Sequence, residues 1–256
     1  AITLSGFDGT TGEAMAIGER TPLALLDAAA SARMAVGEAI TNLLAAPVEA
    51  LNRVKLSANW MAAAGHHGED ARLFDAVRAV GIELCPELEL GIPVGKDSLS
   101  MQARWQDGAQ PQQSVSPVSL IVTAFAPVVD VRQQLTPLLQ RELESELWLI
   151  GLGGGRQRLG GSILSQCHPD AGANGALPAF GGEVPDLDDP QRLRACSSWC
   201  ATRAKTACCW PTTTAPTAAR SPRCAKWPSP RTWGSTSSWM AGAMTAPMTC
   251  SAPCSM

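Results

Sequence analysis

Tyrosine is absent from this chain of 256 residues, and aromatic residues make up only 5% of it. The most apolar stretch, residues 118–129, has about twelve residues and contains a proline, whereas a membrane-spanning helix needs roughly 20 apolar residues. The N-terminus has no basic segment followed by an apolar run, so no signal peptide is expected. The formal net charge of -3 supplies no basic field for nucleic acid. These absences predict a cytoplasmic protein with no membrane or nucleic-acid partner.

The last 61 residues, 196–256, contain no Asp or Glu and no Leu, Ile, Val or Phe. All 23 acidic residues lie in residues 1–195, together with 14 of the 20 basic ones. The tail nevertheless holds seven of the nine cysteines and five of the eight tryptophans. A segment without branched aliphatic residues buries too little apolar surface to offset its chain entropy. We therefore predict that residues 196–256 are a disordered or misfolded tail without a packed core.

Three interpretations of the tail compete. A zinc or disulfide module is supported by Cys-x3-Cys pairs at 196/200 and 250/254, but the tail has no histidine, and adjacent cysteines at 208 and 209 suit few ligand sets. A natively disordered tail would be poor in Cys and Trp. Translation in a wrong frame is the third, because codons for residues 208–219 exist that, read one nucleotide earlier, encode Leu-Leu-Leu-Ala-Tyr-His-Asp-Arg-Ser-Asp-Gly-Gly.

Helical and strand patterns alternate along residues 1–135 and predict an α/β (α+β) domain with both helices on one face of the sheet. Asp27 is a good N-cap for the first helix, and Pro47 ends it. A polar, Gln-rich stretch at 130–146 divides this unit from a second one at 145–195. The predicted elements are helices over 28–46 and 71–84 and strands over 54–58, 92–95, 118–125 and 147–152.

Two pairs of residues in the first unit could bind a nucleotide. Glu38 and Asn42 are four apart in the first helix, so both project from one side, and their oxygens suit Mg²⁺ that also binds phosphate. Alternatively, they are a solvated polar pair. Lys96 and Asp97 follow a strand at a glycine-containing turn, where the lysine could meet a phosphate. Alternatively, this is an ordinary polar turn.

Other polar residues give weaker indications. His66 and His67 could act as general acid or base, although the pattern favours an exposed loop with helix-capping acids. Cys85 and Cys167 have no base at a fixed spacing, and we interpret both as structural. No residue is predicted to be catalytic.

Several long segments resemble phosphoribosylformylglycinamidine synthase, also called formylglycinamide ribonucleotide amidotransferase, in its large single-chain proteobacterial form. The similarity runs in order from near residue 4 to about residue 195 and corresponds to part of the second of that family's two synthetase halves. The segments are Gly-Glu-Ala-Met-Ala-Ile-Gly-Glu-Arg (12–20), Ala-Val-Gly-Glu-Ala-Ile-Thr-Asn (35–42), Lys-Leu-Ser-Ala-Asn-Trp-Met-Ala-Ala (55–63), Gly-Glu-Asp-Ala-Arg-Leu-Phe-Asp-Ala-Val (68–77) and Ile-Pro-Val-Gly-Lys-Asp-Ser-Leu-Ser-Met (92–101).

The resemblance implies an aminoimidazole ribonucleotide synthetase-like N-terminal unit and the start of its C-terminal unit. It implies an ATP-dependent ligase of purine biosynthesis that uses ATP, formylglycinamide ribonucleotide and glutamine-derived ammonia. It also implies that Glu38 and Asn42 hold a Mg²⁺–nucleotide. The family's glutaminase domain and the rest of the parent chain are missing, so we expect this fragment to be inactive alone.

The resemblance also bears on the tail. The family's downstream His-Asp-Arg-Ser-Asp-Gly-Gly motif, which carries an acidic ligand, is the string recovered in the shifted frame, so a frame error near Ala195 is expected. One alternative is a smaller enzyme such as aminoimidazole ribonucleotide synthetase, but its Gly-rich and Asp motifs are not found. Another is a non-catalytic interaction module with a Cys-rich zinc-binding tail.

Overall fold

The computed structural model describes residues 1–136, 149–167 and 181–205, which form a mixed α/β structure. The predicted fold class is confirmed. Its strands are β1 (Ile2–Leu4), β2 (Gly12–Glu19), β3 (Lys55–Met61), β4 (Gly91–Ser98), β5 (Gln102–Asp107), β6 (Gln110–Val115) and β7 (Ser119–Val128). Its α-helices are α1 (Ala28–Leu43), α2 (Glu69–Arg78), α3 (Cys85–Leu88), α4 (Ile163–Cys167) and α5 (Pro190–Lys205), with a π-helical segment at Ala79–Leu84 and 3-10 turns at Thr21–Leu25, Leu51–Arg53 and Val131–Gln133.

Five strands form the main sheet in the order β1-β2-β7-β3-β4. Only β3 and β4 are parallel, whereas the other neighbours are antiparallel. Glu19 of β2 and Asn59 of β3 both pair with Ile121 of β7, and Asn59 also pairs with Lys96 of β4. These four residues therefore form one row across the sheet. The strands β5 and β6 form a separate antiparallel hairpin.

Helix α1 lies directly on β2. The Asp27 side chain accepts a hydrogen bond from the Ala30 N–H at 2.8 Å, which caps the helix as predicted. The helix is rich in small residues, and a Cβ at Gly18 of β2 would stand 2.2 Å from the Ala35 carbonyl oxygen. The close approach between strand and helix therefore depends on the absence of a side chain at Gly18.

The two main helices lie on one side of the sheet, as predicted. A single core cluster contains residues of α1 and of α2 with its π-helical extension, and the alternate strand residues that face them, such as Leu56 and Val122. The opposite sheet face is much more open, since Ile17 is 58% and Val94 is 59% exposed. Among the described residues, no helix combines the length and the apolar character needed to cross a bilayer.

Some local expectations were wrong. Residues 12–18, where no element is predicted, form β2, because β7 pairs with them along their whole length. The Gly95–Ser98 segment is the end of β4 rather than a turn, because β3 pairs with it through Met61. The first helix ends at Leu43 rather than at residue 46. The second extends as an α-helix only to Arg78 before its π-helical segment.

The C-terminal described segments contact the first unit. Leu187 and Leu193 are 6% and 0% exposed and belong to the main core cluster. The predicted strand at 147–152 is not found over 149–152, and residues 147 and 148 lie outside the described residues. Residues 196–205 of the predicted tail continue α5, while 206–256 lie outside the described residues. The division into units at 1–135 and 145–195 stays a prediction.

Candidate functional site

Glu38 lies on α1 with both carboxylate oxygens engaged. Its Oε2 accepts a hydrogen bond from the Glu19 backbone N–H at 3.0 Å. Its Oε1 accepts from Arg20 Nη2 at 2.6 Å, and the side chains of this ion pair are only 15% and 17% exposed. The carboxylate is therefore held at the end of β2 by one backbone donor and one cation.

Asn42 lies one helical turn further along α1 and also contacts β2. Its Nδ2 donates a hydrogen bond to the Ile17 carbonyl oxygen at 2.9 Å. Asn42 and Glu38 thus bind backbone groups two residues apart on the same strand. The spacing-based prediction that both side chains project from one side of the helix agrees with this geometry.

These contacts occupy the open edge of β2. The register of β1 on β2 extends to Ala14, and Ala1 exchanges backbone hydrogen bonds with Met15 at 2.7 and 2.8 Å. In an antiparallel ladder, every second residue turns its N–H and C=O to the same neighbour. The Ile17 C=O and the Glu19 N–H therefore point to the edge beyond β1, where the two α1 side chains bind them.

Arg20 completes this cluster, although it is not among the site residues predicted from the sequence. Its Nη1 donates to the Glu19 carbonyl oxygen at 2.8 Å, and its own carbonyl accepts from Ser31 Oγ at 2.7 Å. Its Nε is buried with no hydrogen-bond partner in the described part of the chain. Arg20 and Glu38 are 18 positions apart, so no helical or strand spacing connects them. Only the packing of α1 on β2 brings them together.

The donor set suits Mg²⁺ that arrives with a nucleotide. One carboxylate and one amide carbonyl are hard oxygen ligands, and Mg²⁺ is often held by one or two protein oxygens together with phosphates and water. Within the described residues, no group of three or more His, Cys, Asp or Glu side chains is placed to hold a metal alone. Arg20 Nη2 already binds Glu38 Oε1, so the guanidinium charge would oppose a metal ion at this carboxylate.

Lys96 and Asp97 are consecutive residues of β4, so they project to opposite sides of the strand. Both are exposed, and Lys96 Nζ donates a hydrogen bond to Ser98 Oγ at 2.8 Å. Three strand spacings of about 4.8 Å, roughly 14 Å in all, separate β4 from β2. The structure therefore does not bring this pair together with Glu38 and Asn42.

The turn that contains His66 and His67 leads into α2. The Gly65 N–H donates to Asp70 Oδ1 at 3.0 Å, and the Glu69 N–H donates to the His66 carbonyl oxygen at 3.1 Å. These contacts define a helix start. They give neither histidine a catalytic partner.

An ion pair joins α1 to the C-terminal segment. Arg33 donates from Nε and Nη2 to the two carboxylate oxygens of Asp186 at 2.9 and 2.6 Å. These hydrogen bonds raise the pKa of the Arg33 guanidinium, against the opposing effect of burial. Residues 186 and 187 are thereby fixed against the helix that carries Glu38.

Comparison with known protein families finds a match in the N-terminal part of the chain. The sequence model described as "FGAR-AT PurM_N-like domain" matches residues 1–127. Residues 1–127 are therefore similar to a PurM-like N-terminal domain.

Among solved structures, phosphoribosylformylglycinamidine synthase II from Thermotoga maritima is 18% identical, with a TM-score of 0.38 over 52% of this chain and 20% of that chain. PurL from T. maritima complexed with ADP is 18% identical, with a TM-score of 0.39 over 53% of this chain and 20% of that chain. Thiamine monophosphate kinase from Aquifex aeolicus is 9% identical, with a TM-score of 0.34 over 51% of this chain and 37% of that chain. The chain thus spans about a fifth of the length of the two T. maritima proteins.

Proposed function

We propose, from the FGAR-AT PurM_N-like domain at residues 1–127, that this chain is part of a phosphoribosylformylglycinamidine synthase of cytoplasmic purine biosynthesis. The parent would be the large single-chain proteobacterial form, and the chain would belong to its second synthetase half. The match to the family model is the observation that carries the proposal. The ordered series of motifs between residues 12 and 101 supports it.

The parent reaction joins ammonia to an amide carbon. The oxygen of formylglycinamide ribonucleotide takes the terminal phosphoryl group of ATP, which converts that oxygen into a leaving group. Ammonia released from glutamine then attacks the amide carbon, and phosphate departs to leave the amidine. We assign no step of this chemistry to a residue of this chain.

Glu38 and Asn42 are proposed as oxygen ligands for Mg²⁺ that accompanies a bound nucleotide. The support is their position one helical turn apart, with both side chains bound to the same strand edge. The Mg²⁺ supplies positive charge that screens the phosphates. Arg20, which lies beside Glu38, would supply a second positive charge near a bound phosphate.

Lys96 and Asp97 are proposed as a separate contact to the nucleotide. The exposed ammonium of Lys96 can approach a phosphate as a point charge. Because β4 and β2 lie about 14 Å apart, one phosphate group cannot touch both Lys96 and the Glu38 cluster. The two pairs would therefore contact different parts of the ligand.

The chain alone is proposed to be inactive. It spans about a fifth of the length of the synthases it resembles, and a frame error near Ala195 is proposed to replace the downstream acidic motif. The support is the loss of every acidic and branched aliphatic residue after this point. Resequencing the gene around codon 195 tests the frame directly, since a single-nucleotide difference is expected there.

An activity comparison tests the proposed function. The purified chain and the frame-corrected parent enzyme are each given ATP, Mg²⁺, formylglycinamide ribonucleotide and ammonium, which removes the need for a glutaminase. Amidine formation by the parent and none by the chain is the expected result. Failure of the parent to form the amidine would contradict the assignment of the reaction, whereas turnover by the chain would contradict only its inactivity.

A further inference from the structure

Arg20 is the cation beside Glu38, and its contacts hold it in place from several sides. The guanidinium donates from Nη2 to Glu38 Oε1 at 2.6 Å and from Nη1 to the Glu19 carbonyl oxygen at 2.8 Å. The Arg20 carbonyl oxygen accepts a hydrogen bond from Ser31 Oγ of α1 at 2.7 Å. Both the backbone and the side chain of Arg20 are therefore fixed, with the positive charge next to the carboxylate.

Partial burial strengthens the electrostatic effect of this pair. The Arg20 and Glu38 side chains are 17% and 15% exposed. Charges shielded from water interact more strongly and are screened less by salt than charges on the surface. The nearby Glu19 is exposed, and its carboxylate accepts a hydrogen bond from the Thr21 N–H at 3.2 Å, so solvent screens this charge more. The Arg20–Glu38 pair thus dominates the local charge, and the two members nearly cancel.

A nearly neutral pair attracts a free divalent cation only weakly. Glu38 attracts the cation, but Arg20 already binds the same carboxylate and repels a second positive charge beside it. Mg²⁺ also gives up its water shell reluctantly. We therefore expect the carboxylate to hold little Mg²⁺ when no phosphate is present.

A polyphosphate reverses the sign of the interaction with Arg20. The complex of Mg²⁺ with a nucleoside triphosphate is negatively charged as a whole, so the guanidinium attracts it. Arginine also donates hydrogen bonds in a geometry that suits phosphate oxygens. The same side chain therefore disfavours the free metal and favours the metal that arrives with phosphates.

We propose that Arg20 makes the Glu38 site selective for a metal–nucleotide complex over the free divalent cation. This inference rests on the proposed function, since it starts from a nucleotide site at Glu38 and Asn42. Arg20 couples the binding of metal to the binding of phosphate, so each ligand raises the affinity for the other. The site then discriminates against free Mg²⁺ until a nucleotide arrives.

Replacing Arg20 by methionine should change the two affinities in opposite directions. R20M removes the charge, keeps an apolar side chain, and leaves Glu38 as an uncompensated carboxylate. Free metal should bind at least about tenfold more tightly, whereas ATP at saturating Mg²⁺ should bind about tenfold more weakly. A folding defect would weaken both, so the opposite signs separate the proposed role from a structural one.

The experiment titrates Mn²⁺ into the full-length chain and counts bound Mn²⁺ by electron paramagnetic resonance, because Mn²⁺ shares the preference of Mg²⁺ for oxygen ligands. Equilibrium dialysis with labelled ATP at saturating Mg²⁺ then measures nucleotide binding. The matched control is R104M, the same change at an exposed position on the β5–β6 hairpin. R20K keeps the charge and should stay closer to the native chain than R20M in both assays. The Mn²⁺ affinity gained in R20M should be lost in R20M/E38Q, which locates the gain at Glu38.

Three results would overturn the inference. They are equal Mn²⁺ affinity in R20M and R104M, a change of the same sign for metal and nucleotide in R20M, and retention of the gained Mn²⁺ affinity in R20M/E38Q. Absence of Mg²⁺–ATP binding by the native chain would refute the proposed nucleotide site as well. The nucleotide assay on the native chain therefore distinguishes failure of the proposed function from failure of the role of Arg20.

Discussion

Replacing Gly18 by alanine tests how closely α1 lies on β2. A Cβ at Gly18 would stand 2.2 Å from the Ala35 carbonyl oxygen and 2.4 Å from the Ala39 nitrogen. Both atoms belong to the α1 backbone, so they cannot turn aside like the end of a flexible side chain. The helix has to move, and overpacking costs typically about 1–3 kcal/mol and sometimes more. We expect G18A to lower the free energy of unfolding by about 3 kcal/mol.

Two other glycines provide matched controls. A Cβ at Gly91, on β4, would meet only the Lys55 side chain, at 3.8 Å. A Cβ at Gly37, on α1, would lie 3.8 Å from Leu187 Cδ2, an ordinary van der Waals distance. G91A should leave stability nearly unchanged. G37A should raise it by about 0.5–1 kcal/mol, because alanine favours the helix over glycine.

Labelling of Cys85 in a urea series measures the effect. Its side chain is buried and burial raises its pKa to about 11, so it reacts with alkylating reagents only when the domain opens. Trypsin cleaves after Arg78 and Lys96, and peptide 79–96 contains Cys85 and no other cysteine. The labelled fraction of this peptide therefore gives the unfolding midpoint of the domain without interference from the other cysteines. Equal midpoints for G18A and G91A would refute the close contact between β2 and α1.

Two further perturbations follow from ion pairs. D186A should cost about 2 kcal/mol in urea unfolding, because it removes both charged hydrogen bonds to the partly buried Arg33. The Glu83 side chain is 51% exposed, so E83Q should change the free energy of unfolding by less than about 0.5 kcal/mol. Equal effects of D186A and E83Q would contradict this ranking. Hydrogen bonds from Arg132 lower the pKa of Asp130 to about 2, so its stabilising contribution is present above the unfolded pKa and is lost as pH falls through about 2. An NMR titration should show this midpoint in the native chain and a return toward about 3.9 in R132A; an unchanged midpoint in R132A would exclude the arginine as the cause.

Sequence patterns within a few residues predicted the elements whose start or composition is set by neighbouring residues. Asp27 indicated the start of α1, and the structure shows its side chain bonded to the Ala30 N–H. The run of β-branched and apolar residues that starts at Val118 indicated β7, which forms the centre of the sheet. These features depend on residues close in sequence, so a single sequence contains the information.

Hydrogen-bonded pairing between strands that are distant in sequence determined the elements that could not be predicted from neighbouring residues. Gly95 is typical of a turn, yet β3 pairs in parallel with β4 as far as Ser98 and holds this segment extended. The reverse holds for residues 149–152, where strand-forming residues are not in a strand. A strand requires a neighbour that supplies hydrogen-bond partners, and composition alone does not reveal that neighbour.

The candidate site was predictable only in part. Helical spacing placed Glu38 and Asn42 on one side of α1, and the structure agrees. Helical spacing gave no indication that both side chains would bind the open edge of β2, because no strand is predicted over residues 12–18. Arg20 was missed for the same reason, since its contact with Glu38 exists only after α1 packs on β2. The metal-binding role of Glu38 and Asn42 stays a prediction.

The most direct test of the account is Mg²⁺-dependent nucleotide binding by the whole chain. Equilibrium dialysis with labelled ATP over a series of Mg²⁺ concentrations compares the chain with E38Q, which removes an anionic ligand but keeps an acceptor for the Glu19 N–H. E13Q, the same change at an exposed position on β2, is the control. We predict Mg²⁺-dependent binding by the chain and by E13Q, and binding weakened about tenfold or more in E38Q. Binding that does not depend on Mg²⁺, or equal binding by E38Q and E13Q, would contradict the proposed site.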